Sequence, residues 1–174
     1  MRLRSALGIV VAIAVLALAG GAAAASAKRV TASVGLRQTQ FGKVLVAANG
    51  RVLYLFKHDK STASTCYGAC ATDWPPLLTA AKPHAGAGIR AGLLGTTRRK
   101  DGKLQVTYRG HPLYLFFLDK QAGQTKGQGQ DFFGGKWYVL SAAGRTVTKS
   151  ATSTTTSSTT TTTGPTTTCA YGGC

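Results

Sequence analysis

Apolar residues between positions 35 and 149 come in short runs that are separated by Gly, Pro and Asn. No long stretch in this part of the chain repeats its apolar residues at the 3.6-residue spacing of an amphipathic helix. The runs contain β-branched and aromatic residues, which favour strands when turn residues bound them. The pattern therefore predicts a mostly β domain with little helix.

Two predicted hairpins have Gly in their turns. Asn49-Gly50 and Arg109-Gly110 each stand between two apolar runs, and Asn-Gly is typical of tight hairpin turns. Pro112 lacks a backbone N–H, so it indicates a strand start or a sheet edge. The flanking runs are residues 44–47 and 51–56 in the first hairpin and residues 104–108 and 113–118 in the second, and further strands are predicted at 93–97 and 137–140.

The two hairpins belong to an internal repeat with an offset of 60 residues. Residues 42–60 read GKVLVAANGRVLYLFKHDK and residues 102–120 read GKLQVTYRGHPLYLFFLDK, with 10 of 19 positions identical. Such self-similarity indicates two copies of one supersecondary unit. The expected fold is a mostly β single domain of two β-hairpin repeats, flanked by a signal peptide and a disordered tail.

These residues resemble the bacterial secreted-repeat family of predicted lipoproteins, which is defined by a Tyr-x-aromatic-x-x-Asp motif. The motif is present as YLFKHD at 54–59 and as YLFFLD at 114–119. A cysteine pair followed by Trp-Pro-Pro at 66–76 is also similar to the family pattern, and the resemblance covers 41–144. It implies the fold and export, but no activity, because the family has no assigned one.

The N-terminal segment is expected to be a secretory signal. Arg2 and Arg4 precede an apolar run at 6–20 that is too short to span a bilayer. Small residues follow, and the segment 25–27 fits an A-x-A cleavage site; an uncleaved membrane anchor is the alternative. We therefore expect an exported protein, extracellular or associated with the cell envelope. Since the chain has no lipobox cysteine, we expect no lipid anchor. No second apolar segment follows the signal, so we expect no transmembrane segment after cleavage.

Composition separates the folded part from a tail. Residues 150–168 are almost entirely Ser and Thr, so they cannot bury apolar surface and are expected to be disordered and a candidate for O-glycosylation. The expected segments are a signal peptide at 1–27, a lead-in at 28–40, a two-repeat β domain at 41–149 with repeat cores at 42–60 and 102–120, and the tail at 150–174, which ends in a cysteine pair.

The charge is strongly one-sided, with a formal net charge of +16 and only five acidic residues. A basic exported protein is attracted to anionic envelope polymers. Residues 98–100 and Lys103 form the one basic cluster, but no known nucleic-acid module accompanies it, so no specific nucleic-acid recognition is expected. The expected partners are anionic envelope polymers or a small aromatic or carbohydrate ligand.

The repeated motif supplies candidate ligand-binding residues. In an extended strand, Tyr54 and Phe56 share one face while Leu53 and Leu55 share the other, so both faces are apolar, as in a strand buried within a core. One hypothesis is a ligand cleft between the repeats. Its candidate residues are Tyr54, Phe56, Asp59, Tyr114, Phe116, Asp119 and Trp74.

The second interpretation of the motif is structural. Asp59 and Asp119 then close turns by accepting backbone N–H bonds. The tyrosines pack and donate through their hydroxyls, and Trp74 belongs to the core.

Four cysteines allow three pairings. Because an exported protein meets oxidising conditions, the preferred pairing is Cys66 with Cys70 and Cys169 with Cys174. The alternative is a copper or zinc site, since a Cys-x3-Cys pair with a histidine resembles the ligand set of Sco-type copper chaperones and soft thiolates select Cu(I). The candidate ligands are Cys66, Cys70, His58 and His111, with His84 as a further histidine.

Conventional catalysis is not indicated. The sequence contains no serine nucleophile elbow, no HExxH motif and no phosphate-binding glycine loop. The expectation is a non-enzymatic binding module without a cofactor. The enzymatic alternative is hydrolysis by a carboxylate pair, for which Asp59 and Asp119 are the candidates.

Overall fold

The computed structural model describes residues 30–150. The expected signal peptide, nearly all of the Ser/Thr-rich tail and the Cys169–Cys174 pair lie outside these residues. Most of the regular structure is β. The strands are β1 (Ser33–Thr39), β2 (Gly42–Ala47), β3 (Tyr54–Phe56), β4 (Leu78–Thr79), β5 (His84–Ala85), β6 (Leu94–Arg98), β7 (Leu104–Tyr108), β8 (His111–Pro112), β9 (Asp131–Phe132) and β10 (Gly135–Val139). A five-residue helix, α1 (Ala69–Asp73), and one 3₁₀ turn (Ala91–Leu93) complete the elements.

The predicted hairpin turns are confirmed. Gly50 has a φ of 77°, and Arg109 and Gly110 have φ values of 50° and 78°, the left-handed region in which glycine carries no steric cost. The regular strand predicted at 113–118 is not formed, since β8 ends at Pro112 and Tyr114 makes only isolated bridges to Tyr54 and Pro76. Successive N–H groups of this segment bond to different parts of the chain, that of Tyr114 to Tyr54 and that of Leu115 to Pro75, so no continuous ladder forms.

Strand β1 lies in the segment expected to be a lead-in, so the β domain begins at Ser33 rather than at residue 41. Along its whole length β1 pairs with β2 in antiparallel register, from Val34 opposite Ala47 to Thr39 opposite Gly42. Val34 is fully buried while Arg37 and Gln38 are exposed. These polar residues hide the apolar alternation that would have revealed the strand.

Three small sheets make up the domain. Their orders are β2-β1-β5, β3-β10-β9 and β4-β7-β6, with β8 paired to β7. We call residues 33–79 repeat 1 and residues 94–141 repeat 2. The β1–β2 hairpin of repeat 1 corresponds to the β6–β7 hairpin of repeat 2, since Gly35 and Gly95 are 60 residues apart.

Each repeat completes the β structure of the other. The N–H of Leu45 in repeat 1 donates to the carbonyl of Leu140, which follows Trp137, at 2.9 Å. In repeat 2, the N–H of Val106 donates to the carbonyl of Leu77, which follows Trp74, at 2.8 Å. The repeats are thus interlocked, and neither contains its whole sheet.

The core lies on both faces of β3. Leu53 and Leu55 pack into one buried apolar cluster, and Tyr54 and Phe56 pack into another that contains both tryptophans. This confirms the sequence-based prediction of a strand with two apolar faces. The second cluster holds every residue of the candidate ligand-binding set except the two aspartates.

Candidate functional site

The two copies of the motif lie side by side and antiparallel. The N–H of Tyr54 donates to the carbonyl of Tyr114 at 2.9 Å, and the N–H of Tyr114 donates to the carbonyl of Tyr54 at 3.0 Å. A mutual pair of this kind relates the two strands by a local two-fold axis. The motif side chains of both repeats are therefore brought together at one place.

Each tyrosine donates to the aspartate of the other repeat. The hydroxyl of Tyr54 bonds Oδ2 of Asp119 at 2.5 Å, and the hydroxyl of Tyr114 bonds Oδ2 of Asp59 at 2.6 Å. Hydrogen bonds to a carboxylate are stronger than those between neutral groups. The motif thus joins the two repeats reciprocally, a pairing that the sequence pattern did not predict.

The second oxygen of each aspartate closes a turn. Oδ1 of Asp59 accepts from the backbone N–H of Thr65 at 2.7 Å and from its hydroxyl at 2.6 Å. Oδ1 of Asp119 accepts from the N–H of Lys126 at 2.9 Å. The turn-closing interpretation of the two aspartates is confirmed.

The hydroxyls of Tyr54 and Tyr114 stay protonated because their pKa values are raised. Burial, with the carboxylates of Asp119 and Asp59 beside them, raises the pKa of Tyr54 and Tyr114 far above the ordinary value. Burial also raises the pKa of Asp119, although the hydrogen bonds from Tyr54 and Lys126 oppose that rise. Each tyrosine therefore acts as a neutral donor at physiological pH.

Four aromatic rings form a stacked column through the site. The tryptophans stand at its centre with ring centroids 3.9 Å apart and planes 4° from parallel. Phe56 stacks on Trp137 at 4.0 Å, and Phe116 stacks on Trp74 at 4.2 Å. Each motif phenylalanine thus meets the tryptophan of the other repeat, which establishes Trp74 and Trp137 as equivalent positions.

The candidate ligand-binding residues come together but are buried. Tyr54, Trp74, Tyr114 and Asp119 are 0% exposed, and Asp59 is 6% exposed. A ligand would reach them only if the core opened. The ligand-binding hypothesis for these seven residues therefore stays a prediction, whereas the core position of Trp74 is confirmed.

One member of the basic cluster is buried next to the site. Arg99 is 4% exposed, and its Nη1 donates to Oγ of Ser64 at 2.8 Å and to Oε1 of Gln105 at 2.7 Å. The hydroxyl of Ser64 in turn donates to the hydroxyl oxygen of Tyr114 at 2.8 Å, because the one proton of Tyr114 is donated to Asp59. The sequence pattern did not indicate this network, because Arg98 and Lys100 beside Arg99 are charged as well and nothing local marks Arg99 as buried.

The predicted disulfide between Cys66 and Cys70 is confirmed. It closes the segment 66–70, two residues after Ser64, and the carbonyl of Cys66 accepts from Nη2 of Arg99 at 2.8 Å. A metal site that uses both cysteines would first need the disulfide to be reduced. Within residues 30–150, no group of three or more His, Cys, Asp or Glu side chains is arranged to hold a metal ion, and the copper or zinc alternative stays a prediction.

The two candidate histidines occupy different environments. His58 is exposed, stacks on Phe56 at 5.6 Å, and has its Nδ1 3.2 Å from the carbonyl of Gly134. His111 is half-buried, and burial together with the charges of Lys57 and Arg109 lowers its pKa. Only His58 has a hydrogen-bond contact of its ring to the protein within residues 30–150.

Unlike the buried motif residues, a groove on the surface is open to solvent. A shallow groove of about 640 Å³ runs beside β1 and β2 and is lined by residues that include Gly35, Arg37, Asn49 and Gly86. It touches none of the motif residues.

In the part of the chain that the structure describes, no helix is both long and apolar enough to cross a membrane.

Comparison with known proteins gives one match. A family model described as a secreted repeat of unknown function matches residues 35–78 and 95–141. The boundaries agree with repeat 1 and repeat 2 and include both copies of the motif. No curated protein and no solved structure matches the chain.

Proposed function

This chain belongs to the family of secreted repeats of unknown function, and from that premise we propose that it is a non-enzymatic module that binds anionic polymers of the cell envelope. The family's description supports export and names no activity. The proposal therefore rests on the chemistry of the surface, because the side chains of the repeated motif are occupied with one another inside the core.

The surplus of unpaired positive charge carries the proposal. Residues 30–150 contain 17 Lys and Arg side chains and five Asp side chains. Two of the aspartates, Asp59 and Asp119, are buried against tyrosines, and the one ion pair within this range joins Arg99 and Asp101 at 3.7 Å. Such a surface attracts polyanions, and the attraction weakens as salt screens it.

The densest group of exposed cations lies at the β6–β7 turn. We call residues 98–103 the basic tip. Arg98, Lys100 and Lys103 are exposed there, with Asp101 as the single opposing charge. The tip is ordered, because Nη1 of Arg98 donates to the carbonyl of Gly102 at 2.8 Å. We assign the main polyanion contact to this tip.

A non-enzymatic role fits the state of the two aspartates. General acid–base work by a carboxylate pair needs both groups to reach a substrate. Asp59 and Asp119 are buried, and all four of their oxygens accept hydrogen bonds from protein donors. Hydrolysis by this pair would require those bonds to break first.

The experiment is a charge exchange between equivalent turns. In the β1–β2 turn, Gln38 and Gln40 occupy the positions of Arg98 and Lys100. We expect Arg98→Gln with Lys100→Gln to weaken binding of the exported protein to long-chain polyphosphate about tenfold or more, because each contact cation contributes about 1 kcal/mol in water. Binding would be measured by titration at several salt concentrations.

The matched control moves the charges instead of removing them. Adding Gln38→Arg and Gln40→Lys to that variant restores the net charge on the other turn, and we expect it to leave the affinity low. Full recovery would mean that net charge, and not the basic tip, sets binding. Absence of polyphosphate binding at low salt, or binding that salt does not weaken, would contradict the proposal.

A further inference from the structure

Two partly exposed phenylalanines lie at the β9–β10 hairpin, Phe132 at the end of β9 and Phe133 in the turn. Phe132 is 48% exposed and Phe133 is 43% exposed. Phe133 has a φ of 58°, a left-handed conformation that is unusual for a bulky residue. Strained conformations of this kind persist where the surrounding structure enforces them, often at sites of function. We call residues 131–135 the aromatic tip.

The aromatic tip is fastened to the core. Nε1 of Trp137 donates to the backbone carbonyl of Phe132 at 3.2 Å, and Trp137 belongs to the stacked column. His58 lies against the other side of the turn, with Nδ1 3.2 Å from the carbonyl of Gly134. The two phenylalanines are thus presented on a rigid support instead of being free to fold back onto the protein.

Three lysines lie at the base of the aromatic tip. The N–H of Lys57 donates to the carbonyl of Lys136 at 2.9 Å, so the two lysines lie on neighbouring strands at its base. Nζ of Lys60 donates to the carbonyl of Lys57 at 3.4 Å. Asp131 is the acidic residue within the tip. Exposed aromatic residues flanked by lysines match the boundary between acyl chains and anionic headgroups.

We propose that the aromatic tip docks on the surface of an anionic phospholipid membrane, with Phe132 and Phe133 inserted at the interface and Lys57, Lys60 and Lys136 against the headgroups. The geometry favours lipid over a sugar ring. The phenylalanine planes are 53° apart, so they form a wedge and not a flat stacking platform, and neither ring has a polar group to bind hydroxyls. The inference is independent of polymer binding by the basic tip.

The test is co-sedimentation of the exported protein with vesicles of phosphatidylglycerol and phosphatidylcholine. The variant is Phe132→Ser with Phe133→Asn. Asn tolerates positive φ, and the bond from Trp137 is made by the backbone of residue 132, so the turn is retained. We expect the vesicle affinity to fall about tenfold or more, since full burial of one phenylalanine is worth more than one decade.

Phe117→Ser is the matched control, because Phe117 is another exposed phenylalanine, at 38%, outside the aromatic tip. We expect it to bind vesicles as the wild type does, and we expect both variants to remain folded at the assay temperature and to keep the polyphosphate affinity of the wild type. An equal loss in Phe117→Ser, unchanged binding in the double variant, or a wild type that ignores these vesicles would each overturn the proposal. Equal losses of vesicle and polyphosphate binding in the double variant would also overturn it, since they would indicate one shared polyanion surface.

Discussion

Repeat 1 and repeat 2 contribute equivalent residues to the core and different residues to the surface. Tyr54 and Tyr114 make the same reciprocal bonds, and Trp74 and Trp137 stack on each other across the local axis. The turns that reach solvent differ. Gln38 and Gln40 in repeat 1 correspond to Arg98 and Lys100 in repeat 2.

The loops after the motif differ as well. Repeat 1 carries the disulfide loop of Cys66 and Cys70, whereas the corresponding part of repeat 2 carries the aromatic tip. The comparison indicates that the repeated motif maintains the fold and that binding properties lie where the repeats diverge. This equivalence predicts that removing paired core side chains lowers stability by similar amounts, with differences only where their hydrogen-bond partners differ.

The largest expected effect comes from the tryptophans. We expect Trp74→Ala and Trp137→Ala each to lower the free energy of unfolding by about 3–5 kcal/mol, because each removes a fully buried ring from the stacked column. Urea unfolding followed by circular dichroism measures both. A large difference between them would break the equivalence of the two repeats.

Phenylalanine substitutions sharpen the same comparison. The indole N–H of Trp137 donates to Phe132, whereas that of Trp74 has no hydrogen-bond partner among residues 30–150. Trp137→Phe is therefore expected to cost more than Trp74→Phe, by roughly one hydrogen bond of about 1 kcal/mol. The reverse order would show that the indole N–H of Trp137 is not what holds the aromatic tip.

The tyrosines are expected to give the next largest effect. Tyr54→Phe and Tyr114→Phe each remove a donor to a buried carboxylate, which is worth about 1.5–3 kcal/mol. Asp59 keeps two donors on its other oxygen, while Asp119 keeps one. Tyr114→Phe also removes the hydroxyl that bonds Ser64, so we expect the two variants to lose similar amounts of stability, as measured by urea unfolding at neutral pH.

The disulfide tests a region that only repeat 1 has. Replacing Cys66 and Cys70 by Ser is expected to lower the free energy of unfolding by roughly 2 kcal/mol, from the loop-closure entropy of a five-residue loop. Amide hydrogen exchange should show lost protection around Ser64 and Arg99 and little change in the aromatic tip. Equal loss in both loops would indicate that the two regions are coupled.

The oxidation state of Cys66 and Cys70 distinguishes a disulfide from a copper or zinc site. Elemental mass spectrometry of the native protein, with a free-thiol count by intact mass, separates the two states. Because Cys66 and Cys70 form a disulfide, we expect no free thiol at either position and no bound metal ion. One copper or zinc ion per chain with free thiols at both positions would support the metal-binding alternative.

The smallest expected effect is a pH dependence at Asp119. Burial raises its folded-state pKa above the ordinary value of 3.8, so the folded protein holds the proton more tightly than the unfolded chain. Its contribution to stability is then greatest below pH 3.8 and is lost as the pH rises through the folded-state pKa. The stability of the wild type relative to Asp119→Asn should therefore increase as the pH falls, and a flat difference would contradict this.

Local pattern was sufficient for part of the site. The alternation of Leu53, Tyr54, Leu55 and Phe56 predicted a strand with two buried faces, because neighbouring side chains of a strand point in opposite directions. The disulfide was predictable for a similar reason, since four residues separate its cysteines and no distant segment is needed. Burial of Arg99 was not predictable, because two of its partners, Ser64 and the carbonyl of Cys66, precede it by 35 and 33 positions in the chain.

The sequence by itself determined that this protein has two related β-hairpin units, which family it belongs to and how basic it is. Only the tertiary structure decided that the motif of each repeat is completed by the other, with Tyr54 bonded to Asp119 and Tyr114 to Asp59. The physical reason is the separation along the chain of the residues that interact. Turns and strand faces follow from neighbours along the chain, whereas these bonds join residues more than fifty positions apart and form only when both repeats pack around one aromatic core.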